Sequence, residues 1–231
     1  MEKFWKLTDE TKEQRCGTIL RRLEIIKDCR YGKAGTKGGW IEKESNLSGN
    51  AWVHNDAMVY NNARVFGRAL VYDNAWVSGN AEVSDKACVS GNAWVSGDAR
   101  VYENANVSGC ARLYENARVY GNAMVYGNAW VSNNAKVYGD SWVTGHAAVC
   151  GDATVTGLVY TTRYIHPLTL TDNHIKYGCY QKTIEEWEEW LNSDEEFEIK
   201  RTDPKFKLTR LSLELAIEQH KLTKNYNGIK V

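Results

Sequence analysis

Proline is almost missing from this sequence, and so are long apolar runs and any surplus of charge. Only two of the 231 residues are proline, and 29 Lys and Arg residues balance 29 Asp and Glu residues. This neutrality argues against a general electrostatic attraction to nucleic acids. No apolar run approaches the roughly 20 residues that cross a bilayer, and the start, MEKFWKLTDE, lacks the apolar core of a signal peptide. We therefore expect a cytoplasmic protein with no membrane partner.

Motifs for metal and cofactor chemistry are missing as well. The six cysteines include no C-x-x-C pair, so reduced thiols are expected rather than a metal site. The chain has no Walker loop, dinucleotide-binding fingerprint or nucleophile elbow. The sequence therefore predicts no metal and no cofactor.

What the chain does contain is a hexapeptide that repeats without interruption. Eighteen units, the last counted only through its first four residues, run from Ala51 to Thr156 with no inserted or deleted residue. Each unit begins with alanine, except at Ser141, and has valine two places later, except at Leu113. Serine or tyrosine usually follows the valine, and two turn-forming residues end the unit. A period this strict is typical of a solenoid.

The alternation within each unit predicts a short strand with one buried face. Alanine and valine point inward, the variable residue between them points outward, and Gly, Asn or Asp turns the chain sharply. Three strands and three turns make a coil of 18 residues, and successive coils stack about 4.8 Å apart. Residues 18 positions apart therefore lie in one column on one face of the solenoid.

This motif resembles that of the hexapeptide-repeat, left-handed β-helix superfamily. The resemblance rests on small and aliphatic pairs such as Ala51 with Val53 and Ala75 with Val77. It implies an all-β solenoid, a left-handed parallel β-helix of about six to seven 18-residue coils. It also implies parallel trimers, and the best-known members are acyltransferases. More narrowly, the segments GGWIEKESNLSGNAWV and HIKYGCYQKTIEEW resemble uncharacterised solenoid proteins of phages and prophages.

The segments outside the repeat predict a cap at each end, because an uncovered coil would expose unpaired strand edges. We expect an N-terminal cap over residues 1–38 and the β-helix over residues 39–158. An α+β cap of short strands and two helices is expected over residues 159–231.

Sequence signals place both helices of this C-terminal cap. Thr183 and Glu186 form a capping-box pattern at the start of the first helix. Asp203 and Pro204 are typical of the start of the second. Its predicted apolar face consists of Phe206, Leu208, Leu211 and Leu215.

Three outward columns follow from the 18-residue period, and they differ in chemistry. The mixed column consists of Trp52, Leu70, Cys88, Asn106, Met124 and Trp142. The tryptophan column consists of Trp40, Met58, Trp76, Trp94, Arg112, Trp130 and Ala148. The charged column consists of Asn46, Arg64, Glu82, Arg100, Arg118, Lys136 and Thr154.

The tryptophan column predicts an oligomer interface, because contiguous apolar surface usually marks an interaction site. The predicted interface residues are Trp40, Met58, Trp76, Trp94 and Trp130, and a homotrimer is the expected assembly. Burial of each large aromatic side chain contributes about 2 kcal/mol before the costs of association. The alternative is that these rings stack planar ligands or bases.

The charged column predicts a strip for a ligand or partner, because tyrosines follow its valines. This Arg/Tyr strip consists of Arg64, Arg100, Tyr102, Arg118, Tyr120, Lys136 and Tyr138. Glu82 can offset two of the arginines, but the column has no carboxylate to offset Arg118 and Lys136. A nucleotide, a phosphorylated small molecule or an acidic protein surface would fit such a strip. A solvated face whose tyrosines suit β-structure is the alternative.

Catalytic residues are not evident. His54 and His146 are the only histidines within the repeat, and they are weak catalytic candidates. They lie about five coils, or roughly 24 Å, apart and cannot cooperate within one chain. The superfamily resemblance implies that an acyltransferase would shape its sites with a loop extruded from the coil, and the uninterrupted repeat has none.

The sequence therefore predicts a non-enzymatic binding or interaction protein. If the phage resemblance holds, it would act in the cytoplasm of a bacterial host as an inhibitor of host defence. It would do so by binding a host protein or by sequestering a nucleotide-like ligand. The alternatives are an acyl-coenzyme A-dependent acyltransferase and a structural component of a particle.

Overall fold

The central feature of the structure, a computed structural model, is a parallel β-solenoid of about six coils. The structure describes residues 3–159, 168–177, 180–194, 196 and 204–227. The predicted fold class, a β-helix with additional sheet and helices after it, is confirmed.

Strands of two residues make up the coils. Before them come β1 (Trp5–Glu13), β2 (Ile19–Ile25), β3 (Lys37–Ile41) and a short 3-10 helix, Glu44–Asn46. The coil strands are β4 (Trp52–Val53), β5 (Met58–Val59), β6 (Arg64–Val65), β7 (Leu70–Val71), β8 (Trp76–Val77), β9 (Glu82–Val83), β10 (Cys88–Val89), β11 (Trp94–Val95), β12 (Arg100–Val101), β13 (Asn106–Val107), β14 (Arg112–Leu113), β15 (Arg118–Val119), β16 (Met124–Val125), β17 (Trp130–Val131), β18 (Lys136–Val137), β19 (Trp142–Val143), β20 (Ala148–Val149), β21 (Thr154–Val155) and β22 (Leu158–Val159). After them come β23 (Leu168–Leu170), β24 (His174–Tyr177), β25 (Tyr180–Thr183), α1 (Ile184–Asn192) and α2 (Pro204–Asn227).

Three parallel sheets form the faces of the solenoid. The mixed face runs from β4 to β22, the charged face from β6 to β21, and the tryptophan face from β3 to β20. Every neighbouring pair of coil strands is offset by 18 residues, as in Trp76↔Trp94 and Arg100↔Arg118. The outward columns therefore lie where the period predicts them.

The interior is a stack of alanine and valine. The repeat alanines and valines have at most 1% of their surface exposed, and Leu113 is also fully buried. At the turns, the first of the two turn residues has a positive φ, which favours glycine. Glu103 and Glu115 adopt this conformation too, and the carboxylate of each accepts a hydrogen bond from the turn N–H one coil further on, at 2.8 Å. These side chains thus satisfy turn amides that the strand ladder does not reach.

An N-terminal hairpin covers the first coil. β1 and β2 pair antiparallel, and β2 pairs with β3, so the hairpin extends the tryptophan face. Its inner side buries Trp52 completely beneath Phe4 and Tyr31, whose ring centroids lie 5.6 and 5.9 Å from the Trp52 ring. The outermost strand, β1, is rich in charged residues, which discourages pairing with another chain.

Side chains of the C-terminal sheet end the strand ladder of the last coil. The Thr169 hydroxyl accepts from the Ala148 N–H at 3.2 Å, and the Gln181 amide donates to the Cys150 carbonyl at 2.8 Å. The Asn173 side chain accepts from the Thr154 N–H at 3.0 Å. Backbone groups that no further coil could satisfy are paired in this way.

The two helices pack on this small sheet. Thr183 caps α1 through the predicted capping box with Glu186. α2 begins at Pro204, and Asp203 lies outside the described residues. In the described part of the chain, no helix is both long and apolar enough to cross a membrane.

The predicted apolar face of α2 is wrong in part. Phe206 is buried, but Leu211 and Leu215 are 52% and 64% exposed, and the side chain of Leu208 lies outside the described set. The buried face instead consists of Phe206, Thr209, Leu213, Ala216, Ile217 and His220. On this face the Thr209 hydroxyl and the buried Tyr177 hydroxyl form a hydrogen bond of 3.0 Å, a polar contact that a search for leucines misses.

Candidate functional site

The Arg/Tyr strip is a continuous surface on the charged face. The rings of Tyr102, Tyr120 and Tyr138 stack nearly parallel, with centroids 4.8 and 5.0 Å apart. Burial raises the pKa of Tyr102 and of Tyr120, and the next phenol in the stack acts in the same direction. These two phenols therefore stay protonated at neutral pH and can donate hydrogen bonds.

The charges of the strip are balanced at one end only. Glu82 lies 3.5 Å from Arg64 and 3.6 Å from Arg100. Arg118 and Lys136 are exposed and have no carboxylate partner among the residues that the structure describes. The cations in the second half of the strip are therefore not held in ion pairs, although the Glu103 carboxylate lies near Tyr102 and Tyr120.

A gap interrupts the tyrosine column, which comprises Phe66, Ser84, Tyr102, Tyr120 and Tyr138. Ser84 is the one small residue that lies between aromatic members of this column, and Phe66 and Tyr102 on either side are two coils, or about 9.6 Å, apart. A cavity of about 190 Å³ is lined by Ser84, which is itself buried, and by Glu82, Arg100, Tyr102 and Arg118. Tyr102, at this end of the tyrosine stack, therefore borders an open cavity.

On the tryptophan face, flat groups occupy successive coils. The indoles of Trp76 and Trp94 stack at 4.8 Å. The Arg112 guanidinium then lies 5.6 Å from the ring centroids of both Trp94 and Trp130. Since Trp94 and Trp130 are each 46% exposed, this part of the column is open to a partner or ligand.

The other two predicted interface residues are covered by the N-terminal hairpin. Met58 is 4% exposed, and the Gln14 amide lies 3.0 Å from its sulfur. Trp40 lies beneath Arg22, whose guanidinium is 4.7 Å from the ring centroid. The open surface of the tryptophan column thus begins at Trp76, because the hairpin continues the same sheet over the residues before it.

A larger cavity, of about 480 Å³, lies where the tryptophan face meets the C-terminal sheet. Its main lining residues are Arg112, Trp130, His146, Ala148, Thr169 and Lys176. Sequence reasoning missed this site, although one signal was present: Ala148 is the only small residue in the tryptophan column.

A third cavity, of about 450 Å³, lies beside the N-terminal cap and is basic. Arg30, Arg68 and Lys86 line it together with Tyr31 and Leu70. The sequence did contain a signal for this basic cavity. Most units end in asparagine, but two units that lie 18 residues apart end in Arg68 and Lys86.

The two solenoid histidines have different surroundings. His54 lies in the aromatic cluster of the N-terminal cap, edge-on to the rings of Tyr31 and Trp52 at 5.9 Å. Burial lowers the pKa of His54, so its imidazole is neutral at pH 7. His146 lies in the wall of the 480 Å³ cavity. The two histidines do not form a common site.

Comparison with known proteins identifies the repeat. A family model described as the YdcK beta solenoid repeat matches residues 63–79, 111–127 and 117–133. These segments carry a β-solenoid repeat. No curated protein matches the chain.

The matched segments of the β-solenoid include parts of both open faces, among them Arg64, Trp76, Arg118 and Trp130. The match concerns the repeat unit, and the outward residues vary from coil to coil. The solenoid is therefore a regular scaffold whose surface chemistry differs from column to column.

Proposed function

We propose that this protein is a non-enzymatic binding protein whose Arg/Tyr strip holds a nucleotide-like ligand. The observation that carries the proposal is the cavity bordered by Tyr102 and by Arg118, an arginine with no carboxylate partner among the described residues. A planar base would lie in the cavity beside Ser84, against the Tyr102 ring. Stacking of a base on an aromatic side chain contributes about 1–3 kcal/mol.

Charged neighbours of the Ser84 cavity support a ligand with both a base and a phosphate. Glu82 is a hydrogen-bond acceptor suited to an amino group on the base, and Arg100 and Arg118 are donors suited to phosphate oxygens. Lys136, one coil beyond Arg118, extends this positive surface. Charge-assisted hydrogen bonds of this kind are about twice as strong as neutral ones.

The biological setting that we propose is the cytoplasm of a bacterial host, with the protein encoded by a phage. Sequestering a nucleotide-like signal would inhibit a host-defence process without any chemical step. This part of the proposal is supported by the sequence resemblance to phage solenoid proteins. Occupation of an acidic surface on a host protein is the second form of the same proposal, because the same cations would recognise it.

Binding of nucleotides by the full-length chain tests the proposal. We expect AMP and ATP to bind and to raise the Tm. A nucleotide concentration of 100 times the Kd should increase the free energy of unfolding by about 2.7 kcal/mol. Adenosine and inorganic phosphate, each with half of the recognition elements, should bind more weakly. Isothermal titration calorimetry measures all four.

Variants separate the strip from the rest of the surface. Replacing Arg118 and Lys136 together by alanine should weaken AMP binding by about tenfold or more. Ser84→Tyr, which fills the gap in the stack, should abolish it while the protein stays folded. Arg210→Ala, an exposed arginine paired with Glu214 on α2, is the control and should bind as the unchanged protein does. If the double variant bound AMP as tightly as the unchanged protein does, the strip would not be the nucleotide site. If a host protein bound only when Arg118 and Lys136 were present, the ligand of the strip would be an acidic protein surface rather than a nucleotide.

We also propose that the protein is a homotrimer assembled through the open tryptophan face. The half-exposed indoles of Trp94 and Trp130, the partly exposed Trp76 and Arg112 form a surface that a second copy can bury. Mass photometry at micromolar concentration should therefore show three copies. Trp94→Ala should dissociate the assembly, whereas Trp142→Ala, equally exposed on the mixed face, should not. A monomer in the unchanged protein at this concentration contradicts the trimer.

A further inference from the structure

We infer that the 480 Å³ cavity between Trp130 and the C-terminal sheet is a second binding site, which takes a flat aromatic ring bearing an anionic group. It lies on the tryptophan face, away from the Arg/Tyr strip, and the inference does not depend on the proposed nucleotide site. The arrangement of the tryptophan column, the wall opposite it and the charge of the lining each support it.

The column leaves one position empty. Proceeding along the solenoid, Trp76, Trp94, Arg112 and Trp130 each place a flat group in successive coils. The Arg112 guanidinium covers one face of the Trp130 ring, at 5.6 Å from its centroid. Ala148 occupies the next position and is paired in register with Trp130. Because alanine has only a methyl group, the other side of Trp130 has no flat neighbour from the column.

The C-terminal sheet closes the space above Ala148. The Thr169 hydroxyl accepts a hydrogen bond from the Ala148 N–H at 3.2 Å, which fixes β23 over the end of the column. Lys176, on the neighbouring strand β24, reaches across to the Cys150 thiol at 3.4 Å. The gap is therefore bounded by Trp130 on one side and by β23 and β24 on the other.

The size and shape of the cavity suit a small aromatic molecule. Pockets for small ligands usually have volumes of about 300–1,000 Å³, and this one measures about 480 Å³. Aromatic rings pack with centroids about 4.5–7 Å apart, and the coil spacing is about 4.8 Å. A ring lying over Ala148 would thus continue the stack at the spacing that Trp76 and Trp94 already show.

The charge of the lining selects an anion. Arg112 and Lys176 supply positive charge from two walls, and the described residues that line the cavity include no carboxylate. Neither cation has a carboxylate partner within the described residues. A carboxylate or sulfonate on the ring would provide the missing counter-charge, and the Thr169 hydroxyl lies on the same wall as Lys176.

Four probes of similar size separate the contributions of ring and charge. The probes are 2-naphthoate, 2-naphthalenesulfonate, the non-aromatic decalin-2-carboxylate and the cationic 2-naphthylmethylamine. We expect both aromatic anions to bind the full-length protein at least about tenfold more tightly than the other two. Calorimetry gives the affinities, and mass photometry of each sample shows whether the oligomeric state changes.

Three variants place the probe in the cavity. Trp130→Ala removes the stacking surface and should weaken 2-naphthoate binding by about tenfold or more. Ala148→Trp fills the gap with an indole and should abolish binding while retaining or raising the Tm. Lys176→Met keeps the length of the side chain but removes its charge, so the preference for 2-naphthoate over 2-naphthylmethylamine should shrink. Trp142→Ala, exposed to the same degree on another face, should leave all affinities unchanged.

Several results would overturn the site. Equal binding of decalin-2-carboxylate would show that no ring stacks, and equal binding of the amine would show that charge plays no part. Unchanged 2-naphthoate affinity in Trp130→Ala would place the probe elsewhere, and this result stands even if Ala148→Trp fails to fold. Loss of binding in Trp142→Ala would assign the effect to a general change of the solenoid.

Discussion

Deletion of residues 87–104 should leave a folded protein, whereas deletion of Ser96 alone should not. The larger deletion removes one complete coil, so Ala105 takes the position of Ala87 and every column keeps its register. The stability of a solenoid is approximately a sum over neighbouring coils. We therefore expect cooperative unfolding with a Tm lowered by roughly 5 °C or less.

The single deletion has the larger effect because side chains alternate along a strand. Removing one residue shifts all later residues by one position, so valines that are fully buried would face outward. Each exposed valine costs about 1.5 kcal/mol or more. We expect loss of cooperative unfolding, or insoluble protein, by circular dichroism and gel filtration.

A deletion of residues 93–98 is the informative control. It removes one face of one coil and keeps the order of strand and turn, but it rotates all later columns by one face. The protein should fold, yet Arg100 would then stack on Trp76 in place of Trp94, and both binding surfaces should be lost. If the six-residue and one-residue deletions lowered the stability of the fold equally, contacts along the outward columns would be the main source of stability. The alternation of buried and exposed side chains would then matter less.

Gly38→Ala should destabilise the protein by about 3 kcal/mol, the upper end of the usual range for overpacking. A Cβ atom at Gly38 would lie 2.5 Å from the Trp52 ring, 2.8 Å from the Val53 carbonyl oxygen and 2.9 Å from the Leu23 Cβ. The carbonyl belongs to the first coil and the leucine to the hairpin, so neither can move without separating the two. We expect the hairpin to detach and the exposed edge of the first coil to promote aggregation.

Chemical denaturation followed by tryptophan fluorescence measures this effect, since Trp52 is fully buried only when the hairpin is in place. Gly157→Ala is the matched control, because a Cβ atom there would meet no atom of the described residues within 4 Å. Comparable stability of the two variants would show that the hairpin adapts, and that closure over the first coil does not require glycine.

The helix α2 shows where pattern reasoning from single residues fails. Leucine spacing predicts a face containing Leu211 and Leu215, but both are exposed. Thr209 and Ala216 are buried instead, and the Thr209 hydroxyl forms a hydrogen bond with the Tyr177 hydroxyl. A single helix carries too few residues for its sequence to specify which face another element will cover.

The two cavities in the aromatic columns show a related limit. Ser84 and Ala148 are visible in the sequence as small residues among large ones, so the gaps themselves were predictable. The wall opposite Trp130 was not, because Thr169 and Lys176 come from a sheet that is separate from the repeat. The same holds for Met58 and Trp40, which the hairpin removes from the predicted interface.

The sequence by itself determined the coil, its 18-residue period and the composition of the three columns. It could do so because each unit makes the same local choice of strand and turn, and eighteen repetitions leave no ambiguity in register. Only the tertiary structure decided which parts of the columns remain open and where cavities close. Those outcomes depend on how two non-repeating caps pack on the ends of the solenoid, through long-range contacts that no local period encodes.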